Sequence, residues 1–123
     1  MSVAFREAVE AQDIEAAIRC LAPDVTFNSP VAHTPFEGAE ATGHVLRAVF
    51  ETFEDFEYTD ELEAGDTHAL VFRARVGDKQ LQGLDLLRMN ADGQIEDFTV
   101  MVRPASGLMA LGQAMGPKVA SLK

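Results

Sequence analysis

The feature that most constrains this fold is a run of alternating strands joined by very short turns in the second half of the chain. Apolar and polar side chains alternate there with the period of two that is typical of β-strands. The dipeptides Gly65-Asp66, Gly77-Asp78 and Asp92-Gly93 interrupt the alternation, and such pairs are turn signals. The predicted strands cover residues 56–63, 68–76, 79–89 and 94–103. We therefore expect an antiparallel sheet of hairpin-linked strands.

The turns also predict which side chains share a face of this sheet. A two-residue turn at Gly77-Asp78 pairs Val76 with Lys79, and the turn at Asp92-Gly93 pairs odd positions of 79–89 with even positions of 94–103. One face is then almost wholly apolar and is the expected core side. It collects Leu70, Phe72, Ala74, Leu81, Gly83, Asp85, Leu87, Phe98, Val100 and Val102, with Glu96 near its edge.

The opposite face of the sheet mixes arginines with aliphatic side chains. Its predicted members are Val71, Arg73, Arg75, Gln82, Leu84, Leu86, Arg88, Asp97, Thr99, Met101 and Arg103. That composition is typical of a protein interface. We predict a homodimer through this outer face, because a self-complementary patch closes most simply with two-fold symmetry.

Helical spacing dominates the first half of the chain and its C-terminal tail. We predict helices over 3–12, from the N-cap Asp13 to Pro23, over 39–53 and over 106–122, the last kinked or ended by Pro117. A lone strand at 25–29 precedes a loop from Pro30 to Gly38. The order α-α-β-α-β-β-β-β-α predicts one α+β domain over 1–123, with its helices on one face of the sheet.

Charge and cysteine content exclude several classes of protein. The 123 residues include 20 acidic and 10 basic side chains, a net charge of −10 that disfavours nucleic acids and anionic membranes as partners. Cys20, the one cysteine, cannot form an internal disulfide, and no apolar stretch is long enough for a signal peptide or a membrane span. We expect a cytoplasmic protein.

Asp85 is the most informative residue for function. A carboxylate on the apolar face of a central strand costs several kcal/mol unless it is protonated, hydrogen-bonded or reached by a cavity. Two interpretations stay open, a structural aspartate satisfied by its neighbours and a group that bonds a ligand in a pocket.

Other candidate groups lie around the predicted loop. His33 could be a base at a pocket mouth or an exposed loop histidine, and Ser29 could bond a ligand or cap a turn. The three histidines show no metal-ligand spacing, and no phosphate-binding glycine loop is present. We expect no bound metal and no cofactor. The acidic run from Glu51 to Glu63 is interpreted as a solvated helix end and edge strand.

The order of elements, together with three motifs, resembles the nuclear transport factor 2-like superfamily and its SnoaL-like and ketosteroid-isomerase-like branch. The motifs are Gln12-Asp13-Ile14-Glu15, Leu21-Ala22-Pro23-Asp24-Val25-Thr26-Phe27 and Pro35-Phe36-Glu37-Gly38-Ala39-Glu40. The resemblance covers about 3–103 and leaves a helical tail at 105–122. It implies a cystatin-like cone, in which a curved mixed or antiparallel sheet wraps around helices and encloses an apolar pocket.

The resemblance also suggests roles for individual residues. Asp85 falls where ketosteroid isomerases keep a protonated aspartic acid that donates to a substrate oxyanion. Ser29 stands where those enzymes have a general-base aspartate, and Phe5 stands where they have a catalytic tyrosine. With two of three groups absent, steroid isomerisation by that mechanism is not expected.

From these observations we predict a protein that binds a small hydrophobic molecule. One hypothesis is a cofactor-independent isomerase- or lyase-like enzyme of proton-transfer type, with Asp85 as acid and His33 and Ser29 assisting. The alternatives are a non-catalytic ligand carrier or sensor and, third, a protein-interaction adaptor. The expected pocket wall comprises Phe5, Phe27, Phe72, Leu87, Phe98, Val100 and Val102.

Overall fold

The computed structural model describes residues 4–120 and shows an α+β fold built on a curved, open six-stranded sheet, as predicted. Two helices, two strands and a third helix form the first half, and four consecutive strands and a last helix form the second. The elements are α1 (Ala4–Glu10), α2 (Ile14–Arg19), β1 (Leu21–Asn28), β2 (Phe36–Glu37), α3 (Ala39–Thr52), β3 (Glu54–Ala64), β4 (Thr67–Val76), β5 (Lys79–Met89), β6 (Ile95–Arg103) and α4 (Ala105–Val119).

The sheet is mixed, with strand order β2-β1-β6-β5-β4-β3. β1 runs parallel to β6, and every other neighbouring pair is antiparallel. The parallel pairing places the lone strand of the first half beside the last strand of the hairpin run. The apolar face of the sheet therefore combines residues from both halves of the chain.

The predicted hairpin registers are confirmed over most of their length. Val76 pairs with Lys79, and Asp85 pairs with Leu70 on one side and Val100 on the other. One expectation was wrong. A register shift after Arg88 pairs Met89 with Ile95, so Ile95 is fully buried while Glu96 is exposed instead of lying near the inner face.

The boundary between α2 and β1 also differs from the prediction. Asp13 caps α2 as expected, its carboxylate accepting a hydrogen bond of 3.1 Å from the Ala16 amide. The helix ends at Arg19, however, and the strand already begins at Leu21 and contains Pro23. Proline is tolerated there because the pairing of β1 with β6 is irregular between Leu21 and Thr26, where no ladder hydrogen bond needs its missing N–H.

Two further local features differ from the prediction in whole or in part. The predicted loop contains the short strand β2, whose two residues pair with Thr26 and Phe27; two residues are too few to show a period. Pro117 was expected to kink or end the last helix, but α4 continues to Val119. So close to a helix end, proline removes a single hydrogen bond whose carbonyl partner belongs to the exposed Gln113 and is open to water.

The main core lies between the inner face of the sheet and the helices. Its fully buried large side chains are Phe72, Phe98, Leu70, Leu87, Ile95 and Val25. Within residues 4–120, no helix combines the length and the apolar character needed to cross a membrane.

Gly83 lets the aromatic ring of Phe72 lie directly on β5. A β-carbon at this position would be 2.1 Å from Cζ of Phe72, whose ring is held by Phe56 with centroids 4.9 Å apart. We expect Gly83→Ala to lower the free energy of unfolding by about 1–3 kcal/mol in urea denaturation, because the ring is overpacked and cannot move away. Gly116→Ala is the matched control, since nothing lies within 4 Å of its added carbon. Equal stability of the two variants would contradict the prediction.

Candidate functional site

A cavity of about 1110 Å³ lies between the inner face of the sheet and α1, α3 and α4. Aromatic side chains dominate its wall, which includes all eight phenylalanines and the single tyrosine of the chain. These are Phe5, Phe27, Phe36, Phe50, Phe53, Phe56, Tyr58, Phe72 and Phe98. The volume is sufficient for a ligand of several rings.

The aromatic side chains pack against one another in two groups. In the first, Phe98 makes edge-to-face contacts with both Phe5 and Phe27, each with ring centroids 5.2 Å apart. In the second, Phe56 stacks on Phe72 and meets Tyr58 edge-to-face at 4.9 Å. Such contacts add to the stabilisation from burial and hold the aromatic side chains of the wall in place.

A buried polar pair interrupts the aromatic wall. Asp85 on β5 is 6% exposed and Tyr58 on β3 is 8% exposed, and both line the cavity. The Tyr58 hydroxyl donates a hydrogen bond of 3.2 Å to Oδ2 of Asp85. Since β4 lies between these two strands, the tyrosine side chain reaches across it to the carboxyl group.

Burial determines the protonation of this pair. Desolvation raises the pKa of Asp85 to about 7, and the hydrogen bond from Tyr58 opposes the rise. Burial, the Asp85 charge and the same hydrogen bond raise the pKa of Tyr58 far above its usual range. At neutral pH, the site thus offers a neutral phenol beside a carboxyl group that is protonated in a large fraction of molecules.

The structure brings most of the predicted wall residues together. Five line the cavity, namely Phe5, Phe27, Phe72, Phe98 and Val100. Leu87 is instead fully buried in the core, and Val102 is half-buried on β6; neither belongs to the cavity wall.

Ser29 and His33 lie in different surroundings. Ser29 lines the cavity, and its Oγ accepts hydrogen bonds from the amides of Val31 (3.1 Å) and Ala32 (3.0 Å), so it also caps the turn that follows β1. His33 is exposed and is not part of the cavity wall. Among residues 4–120, no group of three or more His, Cys, Asp or Glu side chains is placed to hold a metal ion.

Sequence reasoning missed Tyr58. The resemblance directed attention to the first helix, where Phe5 stands, whereas the phenol that reaches Asp85 comes from β3. The register of β3 with β4 shifts twice, between Glu54 and Glu57 and again between Tyr58 and Asp60. Counting positions back from the Gly65-Asp66 turn therefore places Tyr58 on the wrong face, although the sole tyrosine of the chain, within an acidic strand, was an available signal.

The C-terminal helix forms part of the same wall. Six residues near its C-terminal end line the cavity, namely Leu111, Gly112, Met115, Gly116, Val119 and Ala120. The Lys118 ammonium donates a hydrogen bond of 2.8 Å to the Thr52 hydroxyl, which itself donates to the Ala48 carbonyl. These contacts fasten the helix to α3.

Comparison with known proteins agrees with this architecture. A model of the SnoaL-like domain matches residues 3–98. No curated protein matches the chain significantly.

Solved structures give closer likenesses. A steroid delta-isomerase from Pseudomonas aeruginosa is 44% identical, with a TM-score of 0.88 over 94% of this chain and 86% of that one. An uncharacterised bacterial protein with a cystatin-like fold from Silicibacter pomeroyi is 32% identical, with a TM-score of 0.90 over 96% and 84% of the two chains. An NTF2-like protein of unknown function from Cytophaga hutchinsonii, 22% identical with a TM-score of 0.65 over 84% and 87%, shares the fold.

Proposed function

Because this chain belongs to the family of SnoaL-like domains, we propose that it binds a small hydrophobic carbonyl compound and acts on it as an isomerase-type enzyme. Asp85 carries the proposal, since it is a protonatable carboxyl group held by Tyr58 in the wall of an aromatic cavity. The 44% identity to a protein called a steroid delta-isomerase supports this class of activity, although Ser29 and Phe5 replace two of the three groups that ketosteroid isomerases use.

The chemistry follows from the state of the Asp85–Tyr58 pair. Neutral Asp85 donates a hydrogen bond to the carbonyl oxygen of the ligand, and Tyr58 keeps the carboxyl group oriented. When a base takes a proton from the carbon next to that carbonyl, before returning it to another carbon of the ligand, negative charge develops on the oxygen. The Asp85 donor, already in place, stabilises this charge, and the aromatic wall strengthens the effect by excluding water.

The serine that follows β1, Ser29, favours a second candidate function, in which the ligand is bound and not converted. A proton transfer also requires a base, and the position at the end of β1 carries a serine whose Oγ already accepts two backbone hydrogen bonds. A protein with the donors but without an efficient base would hold its ligand without converting it. The alternative is therefore a carrier or sensor that uses the same cavity.

One experiment separates the two functions. The purified protein is mixed with a steroidal ketone whose double bond is not conjugated, and ultraviolet absorbance follows formation of the conjugated product. Calorimetry with acetylnaphthalene, a neutral aromatic ketone, measures binding independently. Turnover supports the isomerase, binding without turnover supports the carrier, and the absence of both contradicts the proposal. Native mass spectrometry of protein from its own host would identify a retained ligand.

We also propose that the outer face of the sheet forms a homodimer. It holds a shallow groove of about 340 Å³ lined by apolar and polar side chains, in which Leu84 pairs with the half-exposed Met101. The outward-facing side chains that line it are Val71, Gln82, Leu84, Met101 and Arg103.

Met101→Glu is expected to dissociate this dimer at micromolar concentration, because it buries a carboxylate in the apolar centre of the interface. Light scattering coupled to gel filtration measures the change in mass. Met109→Glu is the matched control, since Met109 is 63% exposed on α4, away from this face. A monomeric parent protein would contradict the proposal.

A further inference from the structure

Among the described residues, the cavity wall holds carboxyl groups and no basic side chain. Among residues 4–120, the wall contains Glu10, Asp55, Glu57 and Asp85, and no lysine, arginine or histidine. Asp85 is buried, whereas the other three are exposed. A ligand that carries its own negative charge therefore meets no cationic side chain in this wall.

The arginine nearest to the buried pair is occupied by two carboxylates. Arg6 lies over the ring of Tyr58, with its Cζ 5.5 Å from the centroid. Its guanidinium contacts Glu10 at 3.1 Å and Glu61 at 2.8 Å. One positive and two negative charges leave this group at −1, so Arg6 does not give the cavity a positive potential.

A second arginine is occupied in the same way beside Asp55. Arg75 contacts Asp55 at 2.7 Å and Glu54 at 3.0 Å, which again leaves a net charge of −1. Glu57 adds a further negative charge, and no arginine, lysine or histidine within residues 4–120 forms an ion pair with it. The acidic run from Glu51 to Glu63, interpreted from the sequence as a solvated helix end and edge strand, thus supplies two acidic residues of the cavity wall, Asp55 and Glu57.

We propose that this cavity selects uncharged apolar ligands and rejects their carboxylate counterparts. The inference rests on the proposed function and adds the charge class of the ligand. A ligand carboxylate could accept a hydrogen bond from Asp85, but it would lose its hydration in an aromatic wall without a cationic partner. It would also be repelled by the acidic groups, whereas a ketone keeps the hydrogen bond without either cost.

Acetylnaphthalene and naphthoate, substituted at the same ring position, test the proposal. They have nearly the same size, and at neutral pH only naphthoate is charged. We expect calorimetry to give a dissociation constant for naphthoate at least roughly tenfold larger than that for acetylnaphthalene. Repulsion between the naphthoate carboxylate and a few acidic side chains, partly screened by water, accounts for a factor of this size. Adding salt should narrow the difference, because these exposed charges are screened.

Charge reversal on β3 provides the matched variants. Glu57→Lys introduces a cation into the wall and should reduce the preference for the ketone by roughly threefold or more. Glu63→Lys makes the same change in total charge at an exposed position of the same strand that is not part of the wall, and it should leave the preference as in the parent.

The outcomes distinguish this inference from the function on which it rests. Equal affinity of the parent for the two compounds, or an equal response of the two lysine variants, would overturn the charge selection and leave the proposed function standing. Binding of neither compound would overturn the proposed function and, with it, this inference.

Discussion

Asp85→Leu should weaken the binding of acetylnaphthalene by roughly tenfold to a hundredfold and leave the protein folded. The variant keeps the bulk of the side chain and removes the donor to the ligand carbonyl, and leaving that buried oxygen unpaired costs about 1–3 kcal/mol. If the protein is an isomerase, turnover should fall further, by on the order of a hundredfold to a thousandfold, because the donor also stabilises the developing oxyanion.

The stability of this variant decides between the two interpretations of Asp85. Within residues 4–120, the one hydrogen bond to its side chain comes from Tyr58, which lines the cavity and can turn to water there. Asp85→Asn is the control, since its amide preserves shape and a donor and should restore part of the binding. A loss of about 1–3 kcal/mol in the free energy of unfolding of Asp85→Leu, with unchanged ligand affinity, would assign Asp85 to the fold instead.

The second large effect is a pH dependence of the free energy of unfolding, which should be present in the parent protein and absent in Asp85→Leu. The pKa of Asp85 is raised from the ordinary value of 3.8 to about 7 in the folded protein, chiefly because burial disfavours the charged form. A raised pKa means that the folded state holds the proton more tightly than the unfolded chain does. The resulting contribution to stability is complete below about pH 4 and is lost as the pH rises through about 7, a change of about 4 kcal/mol.

Urea denaturation of the parent and of Asp85→Leu across this pH range measures the effect. The difference in their free energies of unfolding isolates Asp85, because the other carboxylates are common to both proteins and cancel. The parent should lose stability relative to the variant between about pH 4 and about pH 7. A difference that does not change with pH would show that the carboxyl group titrates at its ordinary value.

The same protonation links stability to function. Above a pH of about 7, Asp85 becomes an acceptor and can no longer donate to a carbonyl oxygen. Affinity for acetylnaphthalene should therefore fall as the pH rises past this point, while the affinity of Asp85→Leu stays constant.

The sequence by itself determined the sheet faces in the hairpin region and the position of Asp85 on the inner face. Both depend on local physics, because a two-residue turn pairs Val76 with Lys79 and side chains then alternate with a period of two. The apolar residues around Asp85 were accessible to the same argument, and Phe72 and Phe98 lie where the alternation predicts.

Only the tertiary structure decided what Asp85 bonds and what surrounds the cavity. Tyr58 reaches Asp85 from two strands away, and two register shifts in β3 break the counting that works elsewhere. The parallel pairing of β1 with β6 and the placement of α4 against the cavity join segments that are far apart in the chain. Such contacts depend on the packing of whole elements, which no local period encodes, and they turn a buried carboxylate into a candidate site.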